Sequence, residues 1–155
     1  MSADIDPRTR LELQDLATQY GRGVDHRDFE LLDSIFTRDA RLAMVSREAG
    51  AEPSMDVRGR ENVVNAMRGI RRYPVTTHFV GRQHVEVEGE RASGETYCIA
   101  YHLHDVDGRT FNYVMSIRYQ DRYAVEDGRW KFSERVLVVD WTDDQPLNPV
   151  ADPPQ

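Results

Sequence analysis

The chain has one cysteine, no long run of Lys or Arg, no apolar stretch of membrane-spanning length, and none of the glycine motifs that cradle nucleotides. Each shortage removes a class of function. A single Cys98 leaves no disulfide framework and no Cys-based zinc site. Cys98 stands in a strongly β pattern, where a lone cysteine is a small core residue. The formal net charge is −7, and the densest basic patch is Arg68-Gly69-Ile70-Arg71-Arg72. That patch ends a helical pattern, where cations complement the helix dipole. Nucleic acid is therefore not an expected partner. With no membrane-length segment and a polar start, MSADIDPRTR, no membrane span or signal peptide is expected, and the expected location is cytoplasmic. G-x-G-x-x-G, P-loop, G-x-S-x-G and H-E-x-x-H are all missing, so chemistry here must rest on side-chain acids and bases, with no cofactor.

What is present fits one domain, residues 1–155, with a core of about 8–141 and an extended Pro-rich tail at 143–155. Asp6 and Pro7 supply an N-cap and a first-turn proline for a helix over 8–25. On it Leu13, Leu16, Ala17, Tyr20 and Val24 form one apolar face, so Tyr20 points inward. Asp25 follows directly, one residue after the last position of that apolar face. Asp28 can cap a short second helix with Phe29, Leu32, Ile35 and Phe36 on its buried face. A short strand at 41–45, a loop at 46–56 long enough to act as a lid, and a third helix over 60–71, ended by Pro74, come next.

From Val75 the pattern turns to β. Segments 75–87, 92–106, 110–125 and 129–141 are rich in Val, Ile, Thr, Tyr and Phe. Glu88-Gly89-Glu90, Asp107-Gly108 and Asp127-Gly128 join them as hairpins. The expected architecture is α+β: three N-terminal helices packed on a curled, mainly antiparallel sheet. Such a sheet encloses a conical pocket.

His78 opens the first long strand, sharing a side with Thr76 and Val80. It is a candidate general base, which needs a second group to fix its tautomer, and Asp25 is the candidate for that group. Arg135 shares a strand face with Leu137, Val139 and Trp141. A cation there is either buried against an acid or placed to meet developing negative charge. His102 and His104 make an H-x-H pair without the further ligands a metal needs, so no metal is expected. Tyr101 and His102 are adjacent, and only one of them can face the pocket.

Residues 13–25, 28–40, Thr77-His78 and 119–135 with their Asp127-Gly128-Arg129-Trp130-Lys131-Phe132 core resemble the SnoaL-like group of the nuclear transport factor 2-like superfamily. That group includes scytalone dehydratase, bile acid 7α-dehydratase and hexachlorocyclohexane dehydrochlorinase. The resemblance implies a cone-shaped α+β barrel. It also implies that Asp25 and His78 form a dyad that removes a proton from carbon while a hydroxyl or chloride leaves. Tyr20 matches a position that is tyrosine in the bile acid enzyme and lysine in the dehydrochlorinase. Arg135 matches an arginine of both. At Tyr101 the chain departs from the bile acid enzyme, which has an aspartate; a slip of one would substitute His102. With Phe36 and Met115 among the apolar lining residues, the substrate implied is a small, largely apolar cyclic compound. The activity implied is a dehydratase-type lyase, catalysed by His78, Asp25, Tyr20 and Arg135. An isomerase or polyketide-type cyclase could use the same dyad. The alternative is a non-catalytic binding or assembly module, as in dioxygenase small subunits. A homo-oligomer is expected, a trimer favoured.

Overall fold

Helix α1, Pro7–His26, begins where Asp6 accepts a hydrogen bond from the Thr9 backbone N–H and Pro7 occupies the first turn. This computed structural model describes residues 5–48 and 50–148. The first four residues and the Pro-rich end of the expected tail, 149–155, lie outside the described residues. Arg27 closes α1 in the left-handed conformation, φ 56°. Asp28 then caps the short helix α2, Phe29–Ser34, through the Leu31 N–H.

Strand β1 runs Phe36–Ser46, five residues earlier than the expected strand start at 41. Phe36 thus opens the strand instead of closing α2. A short edge strand β2, Met55–Arg58, occupies the end of the expected loop and pairs antiparallel with β1. Helix α3, Arg60–Met67, passes into a 3₁₀ turn, Arg68–Arg72. Four long strands follow: β3 Val75–Glu88, β4 Arg91–Val106, β5 Arg109–Glu126 and β6 Arg129–Pro146. Both Asp-Gly turns carry positive φ at each central residue, 49° and 77° at Asp107-Gly108 and 54° and 73° at Asp127-Gly128. That is the primed turn geometry whose twist suits a hairpin.

The sheet order is β2-β1-β6-β5-β4-β3, antiparallel throughout except for the parallel β1–β6 pair. The sheet is curled but not closed. Strand β6 extends past the expected end at 141: Asp143–Pro146 pair with Val114–Phe111 of β5, so the first part of the expected free tail belongs to the sheet. Leu13, Leu16, Tyr20 and Val24 of α1 meet Phe36, Leu42, Ala100, Ile117, Tyr119 and Phe132 of the concave sheet face in one core. No helix among the described residues is long and apolar enough to cross a membrane.

Two bulges in β6 decide which residues face that core. Arg122 pairs with Glu134 but Tyr123 pairs with Phe132, leaving Ser133 extra. Ile117 pairs with Val139 but Ser116 pairs with Trp141, leaving Asp140 extra. Each extra residue reverses the alternation beyond it. Arg135 therefore shares the concave face with Leu137 and Val139 but not with Trp141, which is 52% exposed on the other side.

Candidate active site

The last turn of α1 lies against the start of β3 because glycine permits the approach. A Cβ on Gly21 would stand 3.2 Å from the His78 Cβ and 3.1 Å from the Val80 Cγ2. At that separation Asp25 reaches over the strand. Its Oδ2 accepts the His78 backbone N–H at 2.8 Å, and its Oδ1 lies 2.7 Å from His78 Nδ1. A carboxylate only accepts, so Nδ1 carries a proton, and in the neutral ring Nε2 is the nitrogen with the lone pair. Thr76 Oγ1 adds a third donor to Asp25 at 3.0 Å. Burial by itself would raise the Asp25 pKa. The hydrogen bonds from the His78 ring and backbone, the charge interaction with His78 and the Thr76 hydroxyl outweigh it, and the carboxyl is held below its ordinary value. The two groups meant to meet do meet.

Tyr20 stands perpendicular to His78, ring centroids 6.4 Å apart. Burial pushes its hydroxyl up to about 12, against an opposing pull from Arg135, so it is a neutral donor at ordinary pH. Behind Tyr20 the narrow part of the cone is solid. Phe36 is fully buried there, edge-on to Tyr20 and tilted against Phe132. It is a core residue instead of the substrate contact expected from its sequence position, because β1 begins with it and turns it inward behind Tyr20.

Arg135 is also behind Tyr20, and it does not reach Asp25. Its Nε and Nη2 donate to the two oxygens of Asp121, both at 2.8 Å, and the pair is fully buried. The guanidinium carbon lies 4.3, 3.9 and 4.1 Å from the ring centroids of Tyr20, Tyr119 and Phe132. Of the two environments open to Arg135, the structure has the buried ion pair, with Asp121 as the acid. Cys98, inward on β4, is buried, and burial raises its thiol pKa.

On β4 the pocket residue is His102. It is 5% exposed, its ring centroid 5.8 Å from that of His78. Tyr101 points to the convex face, 38% exposed, because neighbouring residues of a strand alternate. Tyr101 is thereby removed from the candidate contacts. His102 Nδ1 lies 3.1 Å from the Tyr113 carbonyl, so Nδ1 is the donor and Nε2 the acceptor. Burial pushes the His102 pKa down to about 4, with a backbone hydrogen bond opposing, and the ring is neutral at ordinary pH. His104 does not join it; its Nε2 pairs with Asp144 at 2.9 Å. Tyr73 packs against His102, ring centroids 4.9 Å apart and planes tilted by 48°, and Met115, inward and half-buried on β5, pairs in register with Ala100. The half-buried Tyr73 and Tyr113 thus gather around His102 next to His78, with the half-buried Met115 on the same face of the sheet. Surface clefts of about 430 and 440 Å³, one between α2 and α3 and one on the outer sheet face, do not include the dyad.

Sequence reasoning missed Thr76, Tyr73 and Asp121. Thr76 had a visible signal, since it shares a side with His78 and lies two residues before it. Asp121 had none: counting straight back from the Asp127-Gly128 turn sets it opposite Glu134, and only the Ser133 bulge brings Arg135 there.

A family model for the SnoaL-like domain matches residues 7–136. An uncharacterised Mycobacterium tuberculosis protein is 27% identical over 127 residues, covering 82% of each chain. Hexachlorocyclohexane dehydrochlorinase LinA-type3 of Novosphingobium barchaimii superposes with a TM-score of 0.73 at 21% identity, covering 96% of each chain. A Novosphingobium aromaticivorans protein given the name scytalone dehydratase superposes with a TM-score of 0.75 at 20% identity, covering 94% of this chain and 95% of that one. At such identities the two structures show a shared fold.

Proposed function

The chain belongs to the SnoaL-like domain family, and from that premise we propose that it is a cofactor-free lyase of dehydratase type, acting on a small, largely apolar cyclic substrate. The observation that carries the reading is the 2.7 Å contact of His78 Nδ1 with Asp25, which makes Nδ1 the donor and, in the neutral ring, Nε2 the basic nitrogen. In the reaction, Nε2 takes a proton from a carbon next to an activating carbonyl. The C–H electron pair forms the new C=C bond, and the C–O bond breaks with its electrons on oxygen. The imidazolium, steadied by the Asp25 carboxylate, returns its proton to that oxygen, and water leaves. The neutral Tyr20 hydroxyl donates to the carbonyl oxygen as it gains charge. Arg135 serves this step at one remove, holding Tyr20 through its ring contact. His102 offers an acceptor for a substrate hydroxyl. Return of the proton to a different carbon would make the same site an isomerase, and ring closure a cyclase.

The experiment is a panel of cyclic ketones carrying a β-hydroxyl or β-halide, assayed for elimination with wild-type protein and with His78→Ala. Turnover by the wild type that the variant loses supports the reading. Turnover unchanged in His78→Ala would overturn it.

One observation favours a second reading, an assembly module. The convex face exposes Phe79, Tyr97 and Trp141 at 71%, 50% and 52%. Exposed aromatics of this kind on one sheet face suit a protein partner or further copies of the chain. We expect a homotrimer through this face. A monomer by light scattering at micromolar concentration would contradict it.

A further inference from the structure

Asp25 is held by more than His78. Arg27, in the left-handed conformation that ends α1, turns its side chain back across the helix terminus. Its Nη1 donates to the Asp25 carbonyl at 2.6 Å and to Thr76 Oγ1 at 2.8 Å, with a longer approach of 3.4 Å to the Val24 carbonyl. Its Nη2 donates to the Tyr73 carbonyl at 2.7 Å. One side chain thus ties the end of α1 to the segment that leads from the 3₁₀ turn into β3. Only a planar fork of several donors reaches acceptors on both at once.

The direction of the hydrogen bonds follows from the groups themselves. A guanidinium can only donate. A threonine hydroxyl has a single proton, and the hydroxyl that accepts from Arg27 has that proton left for a neighbour. The neighbour is Asp25 Oδ1, 3.0 Å away. Asp25 Oδ1 therefore receives Thr76 and His78 Nδ1 together, while Oδ2 receives the His78 backbone N–H. Three donors at fixed positions leave the carboxylate one rotation about its last bond. Without the Thr76 donor, the two donors left both belong to His78, the residue that must be positioned.

The geometry points to Arg27 and Thr76 as positioning residues of the candidate base: Arg27 orients the Thr76 hydroxyl, and the hydroxyl fixes the Asp25 carboxylate in the plane that His78 Nδ1 requires. The inference rests on the reading of Asp25 and His78 as a dyad. Arg27 also holds the Tyr73 carbonyl, and the Tyr73 ring packs against His102. The same clamp therefore also sets the position of Tyr73 against His102, beside the base.

The test needs no substrate. In full-length protein labelled with ¹⁵N-histidine, a proton held between His78 Nδ1 and a carboxylate gives a far-downfield resonance, coupled to ring nitrogen and assigned by its disappearance in His78→Gln. In Thr76→Val and Arg27→Met that resonance is expected to be lost to solvent exchange at neutral pH, while cooperative melting persists. Thr76→Ser, which keeps the hydroxyl, is expected to retain it. A purely structural role would lower the melting temperature and leave the resonance in place. Its persistence in both Thr76→Val and Arg27→Met would overturn the clamp and leave the dyad standing. A wild type without it would overturn the dyad, and the clamp with it. If Arg27→Met does not fold, the Thr76→Val and Thr76→Ser pair decides.

Discussion

Asp25–His78 and Asp121–Arg135 are both acid–base pairs under 3 Å long that tie one element to another, and what surrounds them separates their roles. Asp25 and His78 link α1 to β3 at 2.7 Å, with 21% and 6% of their side chains exposed. Asp121 and Arg135 link β5 to β6 at 2.8 Å with neither exposed. The histidine keeps a lone pair on its outer nitrogen, whereas an arginine has none to offer. The first pair adjoins His102, which lies against the half-buried Tyr73 and Tyr113; the second is sealed beneath three aromatic rings. A short ion pair in a core is thus not by itself a sign of chemistry. A side chain able to take up a proton and some remaining exposure are the features that distinguish one pair from the other.

The largest effect expected is on the open pair. His78→Ala should reduce elimination by ~10²–10⁴-fold with the far- and near-UV circular dichroism unchanged. Comparable loss of fold would move His78 to the structural side of the comparison.

The sealed pair should respond in the opposite sense. Arg135→Met leaves Asp121 buried without its partner and is expected to cost about 3–5 kcal/mol of stability in urea titrations. The double variant Arg135→Met/Asp121→Leu should recover most of that loss. Full stability of the single variant with abolished turnover would instead place Arg135 in the reaction.

A pH series separates the regions again. His102 has a folded pKa of about 4 against an unfolded value of roughly 6.5. Between those values the unfolded chain binds a proton that the fold refuses, so stability falls as pH drops through that window, by up to about 3 kcal/mol. His102→Phe should flatten this limb. Asp25 has a lowered folded pKa. Its contribution is present above the unfolded carboxyl value and lost as pH falls through the folded one, so Asp25→Asn should flatten only the most acidic part of the curve. A curve unchanged in His102→Phe would contradict a neutral, buried His102.

The smallest expected effect is Gly21→Ala. The added methyl meets His78 and Val80 at contacts tight enough to shift β3 by tenths of an ångström. Helix propensity gains about 1 kcal/mol and overpacking costs about 1–3, so the melting temperature should move little. Turnover should drop more than stability does, because a small displacement acts directly on the 2.7 Å contact.

Much of the scaffold was legible residue by residue. Asp6 and Asp28 cap their helices, and the Asp-Gly turns close their hairpins, because these signals act within four residues. The inward side of β3 was legible too, since alternation needs no partner. Strand β2 was not: Met55–Arg58 is four residues long, and its only pairing is at an edge. Nor was the role of Phe36, whose apolar side chain suits the end of a helix as well as the start of a strand. The Arg135 side of β6 followed local alternation correctly as far as Val139, and failed at Trp141 because a bulge is invisible to period-two counting.

The sequence by itself determined the helices, the hairpins, an acid at the end of α1 and a histidine at the head of β3, since propensity, capping and turn chemistry are local. Only the tertiary structure decided that Asp25 meets His78 instead of Arg135, that His102 faces inward and Tyr101 outward, and that Arg27 and Thr76 stand behind the dyad. Those outcomes depend on the closeness of α1 to β3 at Gly21, on strand register and on two bulges in β6. Each is set by packing between segments far apart in the chain, where no short window of residues holds the information.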